Sequence, residues 1–425
     1  MEYVLNTSNR SVKTKDGSLV RLTQTEMEVL LNLSDRKGEV VRRDEFTPWR
    51  GKRTNPNRHP VDNHISALRA KLDDGLITPI PGKGYQLSAG VTVEVLPTAP
   101  ASEAEILDSI AEEHFKAHSG PEILASIENC ERRIKIGQAD AGTYVTLALA
   151  YMNAGHDGFC LRKQGEAFSR AKGAISLSLE LNRRLSSAYA LRGMAHFAEY
   201  AWQKAKDDFE TALDLDAKEA LAHSLYAHLL VCQHDGDQAI EHASYAARLK
   251  PTDRMIVSTE PWIYTLAGRS AEAIQKALHA VSFFPPFPPL RVVLGWAYQA
   301  EGYIEDAIAE FQNSLKREFA PAALASLGNA QALQGKIAAA TNALKTLNSS
   351  QKEHNLAYVS DYNRALIFSG YGPSRKVECL KALEQSFDKK NVWLPYVVVD
   401  QRFGWLRTDQ RFMKLVDRMG LTILR

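Results

Sequence analysis

Two regimes of hydrophobic patterning divide the chain. From Tyr3 to Leu22 apolar and polar residues alternate weakly around Asp16-Gly17, which predicts short strands joined by a turn. Thr23 with Glu26 three residues on forms a capping-box start, and Met27, Leu30, Leu31 and Leu33 give the apolar face of a first helix ending near Gly38. A short second helix is expected around Arg42, carrying Phe46. A third starts at Pro60, a residue suited to a first helical turn, with Val61, Ile65, Leu68 and Leu72 as its buried stripe. Residues Ile77 to Leu87 then read as a hairpin with its tip at Gly82 and Gly84.

The character changes at Val95-Leu96-Pro97-Thr98-Ala99-Pro100-Ala101-Ser102. The expected organisation is a first domain over 1–95, a linker over 96–102, helical repeats over 103–350, and a degenerate repeat with capping helices over 351–425. The repeat is read from its period. Alanines stand at Ala171, Ala205, Ala239, Ala273, Ala307 and Ala340, four steps of 34 residues and one of 33. Four residues after each come Ile175, Phe209, Ala243, Ala277, Phe311 and Leu344, and small residues at Gly193, Ala227, Gly295 and Gly328 recur on the alternate helix. Each unit is therefore two antiparallel helices crossing where only a small residue fits, and since one unit cannot bury its apolar face, units must stack. From about residue 107 to 350 the pattern resembles the tetratricopeptide repeat. It departs from that repeat at Arg192 and Glu260, where leucine is usual, and at Pro261, where a small residue is expected.

Composition narrows the class. The 425 residues, 45% hydrophobic and 24% charged, exclude disordered and fibrous chains and leave room for two or three cores at roughly 100–200 residues each. A net charge of only +2 means that nucleic-acid binding has to rest on a local patch. Such a patch exists: Arg36 to Lys71 holds ten Lys/Arg against four Asp/Glu, and no acid falls between Thr47 and Val61, where Arg50, Lys52, Arg53 and Arg58 lie. Cys130, Cys160, Cys232 and Cys379 are too scattered for a zinc ribbon or a disulfide framework, so a reducing compartment fits. With no leader pattern after Met1 and no apolar run near the ~20 residues a bilayer needs, a cytoplasmic protein without a membrane partner is expected. Phosphate-loop, dinucleotide and esterase patterns are missing, and His223, His228, His234 and His242 lack ligand spacing, so neither enzyme, metal nor cofactor is expected.

The first 90 residues or so resemble the OmpR/PhoB-type winged-helix domain, on Leu22-Thr23-x-Thr25-Glu26 with Leu30-Leu31, Val40-Val41-x-Arg43-x-Glu45-Phe46, Val61-Asp62-x-His64-Ile65-Ser66-x-Leu68-Arg69-x-Lys71-Leu72, and Gly82-x-Gly84-Tyr85. The resemblance implies an α+β winged helix-turn-helix whose third helix enters the major groove. No phosphoacceptor receiver is expected ahead of it, and a winged helix with helical repeats behind it is similar to the HilA-type invasion-gene activators. Ala67 stands where the family often has Arg, and Pro79 and Pro81 replace Thr and Arg of the wing, with Lys83 as a compensating cation. The expected fold class is thus multidomain, a winged helix-turn-helix followed by an all-α superhelix of tetratricopeptide type.

Candidate contacts follow from the helical wheel. At 100° per residue Asn63, Ser66, Ala67 and Ala70 lie opposite the buried stripe, flanked by His64 and Lys71 on one side and Asp62 and Arg69 on the other. Asn bridges adenine N6 and N7, alanine meets a thymine methyl, and cations hold phosphates. Asp62 is expected to cap the helix or orient a basic neighbour. The candidate DNA-binding set is Arg50, Arg53, Arg58, Asn63, His64, Ser66, Arg69, Lys71 and Lys83. In resembling activators the loop between the second and third helices touches RNA polymerase, a second candidate partner. In the repeats, Met194, Phe197, His228, Trp262 and Trp296, with Val231, Leu266 and Gln299, fall where a groove is lined. That groove would take a peptide, a protein or a small apolar ligand, or help form a homodimer; the alternative is packing between neighbouring units. Phe283 to Pro289 reads as a stiff connection between units. Together these readings make the chain a sequence-specific DNA-binding transcriptional regulator, an activator, the alternative being a repeat scaffold whose winged helix binds protein.

Overall fold

Weak alternation at the start of the chain builds one small sheet. In the computed structural model, which describes residues 2–6, 11–14, 17–36, 38–46, 60–96, 119–284, 287–354 and 356–423, β1 (Glu2–Asn6) pairs antiparallel with β2 (Ser11–Lys13), and β2 with β3 (Leu19–Arg21). The turn before β3 uses Gly17 at φ 86°, a conformation that favours glycine. Helix α1 (Gln24–Asp35) starts with the expected capping box: the Glu26 amide donates to Thr23 Oγ1 at 3.2 Å, and the Thr23 amide to Glu26 Oε2 at 2.7 Å. Around Arg42 the described residues form a single 3-10 turn, Arg43–Glu45, instead of a short α-helix, and Phe46 closes it fully buried. Helix α2 (Pro60–Lys71) follows, then the hairpin β4 (Ile77–Ile80) and β5 (Gly84–Leu87).

Gly84 is required by close approach. A Cβ there would lie 2.1 Å from the Val41 carbonyl oxygen, which accepts from the Tyr85 amide at 3.0 Å. A final strand, β6 (Thr92–Leu96), lies parallel to β1 and completes the order β3-β2-β1-β6; it runs through Leu96, one residue into the expected linker. Leu5, Val12, Leu30, Leu33, Val61, Ile65 and Leu68 share the core beneath. Contacts divide the chain into two units, Met1–Glu103 and Ala104–Arg425.

The second unit is helical hairpins stacked side by side. They pair α4 (Ala141–Gly155) with α5 (Gln164–Leu181), α6 (Ser186–Ala198) with α7 (Trp202–Leu215), α8 (Ala220–Cys232) with α9 (Gly236–Leu249), α10 (Arg254–Leu266) with α11 (Ser270–Phe283), α12 (Pro288–Ala300) with α13 (Ile304–Leu315), and α14 (Pro321–Leu333) with α15 (Ile337–Glu353), after a leading α3 (Gly120–Lys135). All six alanines of the period are fully buried. The small residues sit at the crossings: a Cβ on Gly193 would come 2.8 Å from the Phe209 ring, and on Gly295 2.4 Å from the Phe311 ring. The two departures from leucine are ion pairs across a hairpin, Arg192 to the buried Asp208 at 2.6 Å and Glu260 to Lys276 at 2.7 Å. Pro288 opens α12 at its first turn, after the aromatic–proline connection.

The last stretch does more than cap. Helices α16 (Asp361–Gly370) and α17 (Lys376–Asp388) add one hairpin, and the chain then runs back through 3-10 turns at Leu394–Val398 and Gln401–Leu406 before α18 (Gln410–Met419). Asn391 Nδ2 donates to Asp157 at 2.6 Å and Tyr358 OH to the same carboxylate at 2.8 Å, tying the end of the unit to its beginning. Among the described residues no helix is long and apolar enough to cross a membrane.

Candidate nucleic-acid interface

Helix α2 turns Val61, Ile65 and Leu68 into the core and leaves Asn63, Ser66 and Ala70 exposed, with Ala67 partly so. Its first turn is fixed by one carboxylate: Asp62 Oδ1 accepts from Arg43 Nε at 2.9 Å and from Tyr85 OH at 2.7 Å, and the Arg43 guanidinium lies over the Tyr85 ring at 5.1 Å. Burial and the neighbouring carboxylate push the Tyr85 phenol up, so it stays protonated and donates. Asp62 thus orients a basic neighbour, and joins α2 to both the 3-10 turn and the hairpin. Arg43 and Tyr85 lie 19 and 23 residues from Asp62, a separation at which sequence spacing carries no sign of their joint grip on α2.

The flanking cations behave differently from one another. Lys71 Nζ donates to both oxygens of the buried Glu26, at 2.7 and 2.8 Å, and Arg69 Nε to the Asp74 carbonyl at 2.9 Å. In the free chain each of these cations thus has an intramolecular partner, Lys71 through Nζ and Arg69 through Nε alone. His64 is half-buried, Ser66 Oγ donates to the Asp62 carbonyl at 2.9 Å, and Lys83 is exposed in the hairpin turn. Arg50, Arg53 and Arg58, with the rest of their loop, lie outside the described residues.

In the helical unit the groove positions converge, but on the chain's own carboxy-terminal segment. Trp262 is 5.1 Å from Tyr396 and 5.5 Å from Trp296, Trp296 5.8 Å from Trp393, Phe197 5.9 Å and His228 5.8 Å from Tyr396, between ring centroids. Phe197, His228 and Trp296 are buried, while Met194 and Trp262 keep partial exposure. The expected open groove is thus largely filled, because residues 393–398 supply the aromatic surface that an external ligand would otherwise provide. Burial, with His156 nearby, holds the His228 imidazole down to about 3, so it is neutral. His223 and His242 face each other, Nδ1 to Nδ1 at 2.8 Å, and no group of three metal-ligating side chains occurs among the described residues.

Comparison with known proteins places the first unit. Residues 17–87 match the family model described as transcriptional regulatory protein, C terminal. The TorCAD operon transcriptional regulatory protein TorR of Escherichia coli K12 is 34% identical over 91 residues, 21% of this chain and 39% of that protein. The transcriptional regulatory protein CseB of Streptomyces avermitilis is 33% identical over 94 residues, 21% of this chain and 37% of that protein. The match therefore spans less than two-fifths of either relative. Among solved structures, the anaphase-promoting-complex assembly Cut9–Hcn1 superposes with a TM-score of 0.51 at 15% identity, covering 76% of this chain and 57% of that one. Residues 17–87 are thus an OmpR/PhoB-type transcriptional-regulator domain, carried in one chain with a helical unit of the tetratricopeptide-repeat fold.

Proposed function

We propose that this chain is a sequence-specific transcriptional regulator, an activator, that lays the solvent face of α2 in the major groove of promoter DNA. The observation carrying the reading is the strip Asn63, Ser66, Ala67 and Ala70, outward on a helix whose first turn is braced by Arg43 and Tyr85. Asn63 and Ser66 supply hydrogen-bonding groups and the two alanines supply methyls, the chemistry that base edges present. His64 stands beside the strip, and Arg50, Arg53, Arg58 and Lys83 supply the phosphate contacts. The same basic loop offers a surface to RNA polymerase. Promoter output is set through the helical unit by a ligand or protein partner.

The test is binding of the full chain to a library of DNA sites over a salt series. Asn63→Ala should cost about 1–3 kcal/mol at one base position and relax preference there, whereas Arg50→Ala with Arg53→Ala should weaken every site and flatten the salt slope by about one unit per phosphate lost. Absence of any salt-dependent binding to DNA sinks the reading.

A further inference from the structure

Between α10, α12 and the carboxy-terminal 3-10 turns the helical unit holds a pocket of about 220 Å³, open to solvent beside Leu333 and Gln401. Its walls are aromatic and polar together: Trp262, Trp296 and Trp405 stand with Gln299, Asp400 and Arg402. The Arg402 guanidinium lies over the Trp296 ring at 5.1 Å and grips Asp400 with Nε at 2.9 Å and Nη2 at 2.6 Å, so the charges of this wall cancel. Three of the six residues each keep one buried polar atom with no hydrogen-bond partner: Arg402 Nη1, Trp405 Nε1 and Gln299 Oε1. Gln299 is only 7% exposed, its amide nitrogen already given to Asn329. Polar atoms shut away without partners are unfavourable, and three of them on residues lining one cavity form a set that a ligand can complete.

We infer that this cavity is a binding site for a small neutral aromatic amide or lactam. Size sets the first limit: a cavity of about 150 Å³ takes benzene, so this one takes a ring with a short substituent. Polarity sets the second. Two unpartnered donors call for a carbonyl oxygen, and one unpartnered acceptor calls for an N–H. Charge sets the third, because Arg402 is already neutralised by Asp400 and a carboxylate ligand would bring a second anion with no cation of its own. The three atoms are shielded as they stand, so the ligand reaches them as the neighbouring side chains shift, with the Arg402–Asp400 pair kept. Because the walls come from both the repeats and the returning segment, occupancy fastens the two together. The inference deepens the regulator reading by naming what the helical unit senses, and rests on that reading only for its consequence at the promoter.

The experiment titrates the full chain with benzamide, and with toluene and benzoate as comparison probes, following tryptophan fluorescence and Tm. Saturable benzamide binding, at least about tenfold tighter than either comparison probe, is expected. Trp405→Phe keeps the ring and removes the unpartnered N–H; it should weaken benzamide about tenfold while Tm of the unliganded protein stays equal or rises. Ala300→Leu, which fills the cavity, should abolish binding. No saturable binding of benzamide, equal binding of toluene, or unaltered affinity in Trp405→Phe overturns the proposal. A gel shift on the same preparation separates the two readings: DNA binding without benzamide binding removes only this inference, and benzamide binding without DNA binding removes only the regulator.

Discussion

Replacing Trp393 with Ala tests whether the returning segment is held inside the helical unit. Trp393 is 5% exposed, and its ring meets His156 edge-on at 4.9 Å and Trp296 and Tyr362 at 5.8 Å each. Truncating a buried aromatic of this size costs about 3–5 kcal/mol. The indole Nε1 also donates to His156 Nε2 at 2.7 Å, outcompeting the Gly158 amide that approaches Nδ1 at 3.3 Å. Burial holds that imidazole down to about 4, so at neutral pH it is uncharged, with its proton on Nδ1 and Nε2 accepting. Losing the donor adds about 1–3 kcal/mol, part of it recovered if water enters the space. At roughly 2–4 °C per kcal/mol for a unit of this size, Tm should fall by on the order of 10 °C. Five of the six tryptophans lie in the helical unit, so fluorescence-detected melting of the full chain reports that unit. Trp393→Phe, which keeps the packing and loses the hydrogen bond, should show about a third of the effect. A loss under about 1 kcal/mol for Trp393→Ala would mean that the segment does not fill the groove.

Three further outcomes follow from particular contacts. Lys71→Ala should leave the salt slope of DNA binding unchanged and destabilise the first unit by about 1–2 kcal/mol, discounted for the partial exposure of the lysine; a slope reduced by about one would return Lys71 to the phosphates. Gly295→Ala places a Cβ 2.4 Å from the Phe311 ring and should destabilise by about 1–3 kcal/mol, whereas Gly173→Ala, with nothing within 4 Å, should stabilise by about 0.5–1 kcal/mol; denaturant melts giving the same sign for both would contradict the crossing argument. Acidification from pH 7 to 5 should lower stability by about 2–3 kcal/mol, read as Tm across that range. His156 and His228, held down to about 4 and 3 by burial, stay neutral in the native state while the unfolded chain takes up protons below about pH 6.5, so their stabilisation is lost as pH falls. Asp157, raised to about 6 by burial, works the other way and returns about 1 kcal/mol as it protonates; a flat or rising Tm from pH 7 to 5 would refute this balance.

Much of the architecture was legible because the determinants are local or periodic. The 34-residue phase located crossings such as Gly193 and Gly295, since the Phe209 and Phe311 rings leave no room for a Cβ opposite them. The outward face of α2 followed from helical spacing alone. Destinations of long side chains did not: Lys71 finds Glu26, 45 residues away, and a wheel drawn on one helix carries no information about that partner. Strand β6 carries Val93 and Val95 in alternation, but it is short and its last residue, Leu96, falls where Pro97 and Pro100 mark the start of a linker. The covering of the groove was invisible for a different reason. Trp393 and Tyr396 stand outside the repeat phase, and Asn391 reaches Asp157 across 234 positions, so only the closure of the whole unit brings them together.

Closure of the groove also decides which ligands the sensing role proposed for the helical unit would admit. A peptide lying along Phe197, His228, Trp262 and Trp296 would have to expel Trp393 and Tyr396, and with them the hydrogen bonds that hold the segment, from Asn391 to Asp157 and from Tyr200 OH to the Asn391 carbonyl at 3.0 Å. Expulsion would leave the Asp157 carboxylate without one of its buried donors. A molecule small enough for the remaining cavity breaks none of these contacts and adds its own to both walls. The two cases have opposite signs in one measurement. A cavity ligand at a hundred times its Kd raises stability by about 2.7 kcal/mol and leaves Trp393 buried, whereas a displacing peptide exposes Trp393 to quencher as it binds. Iodide quenching of the full chain with and without benzamide therefore reads the mode directly, and a benzamide-dependent rise in quenching would reverse the assignment.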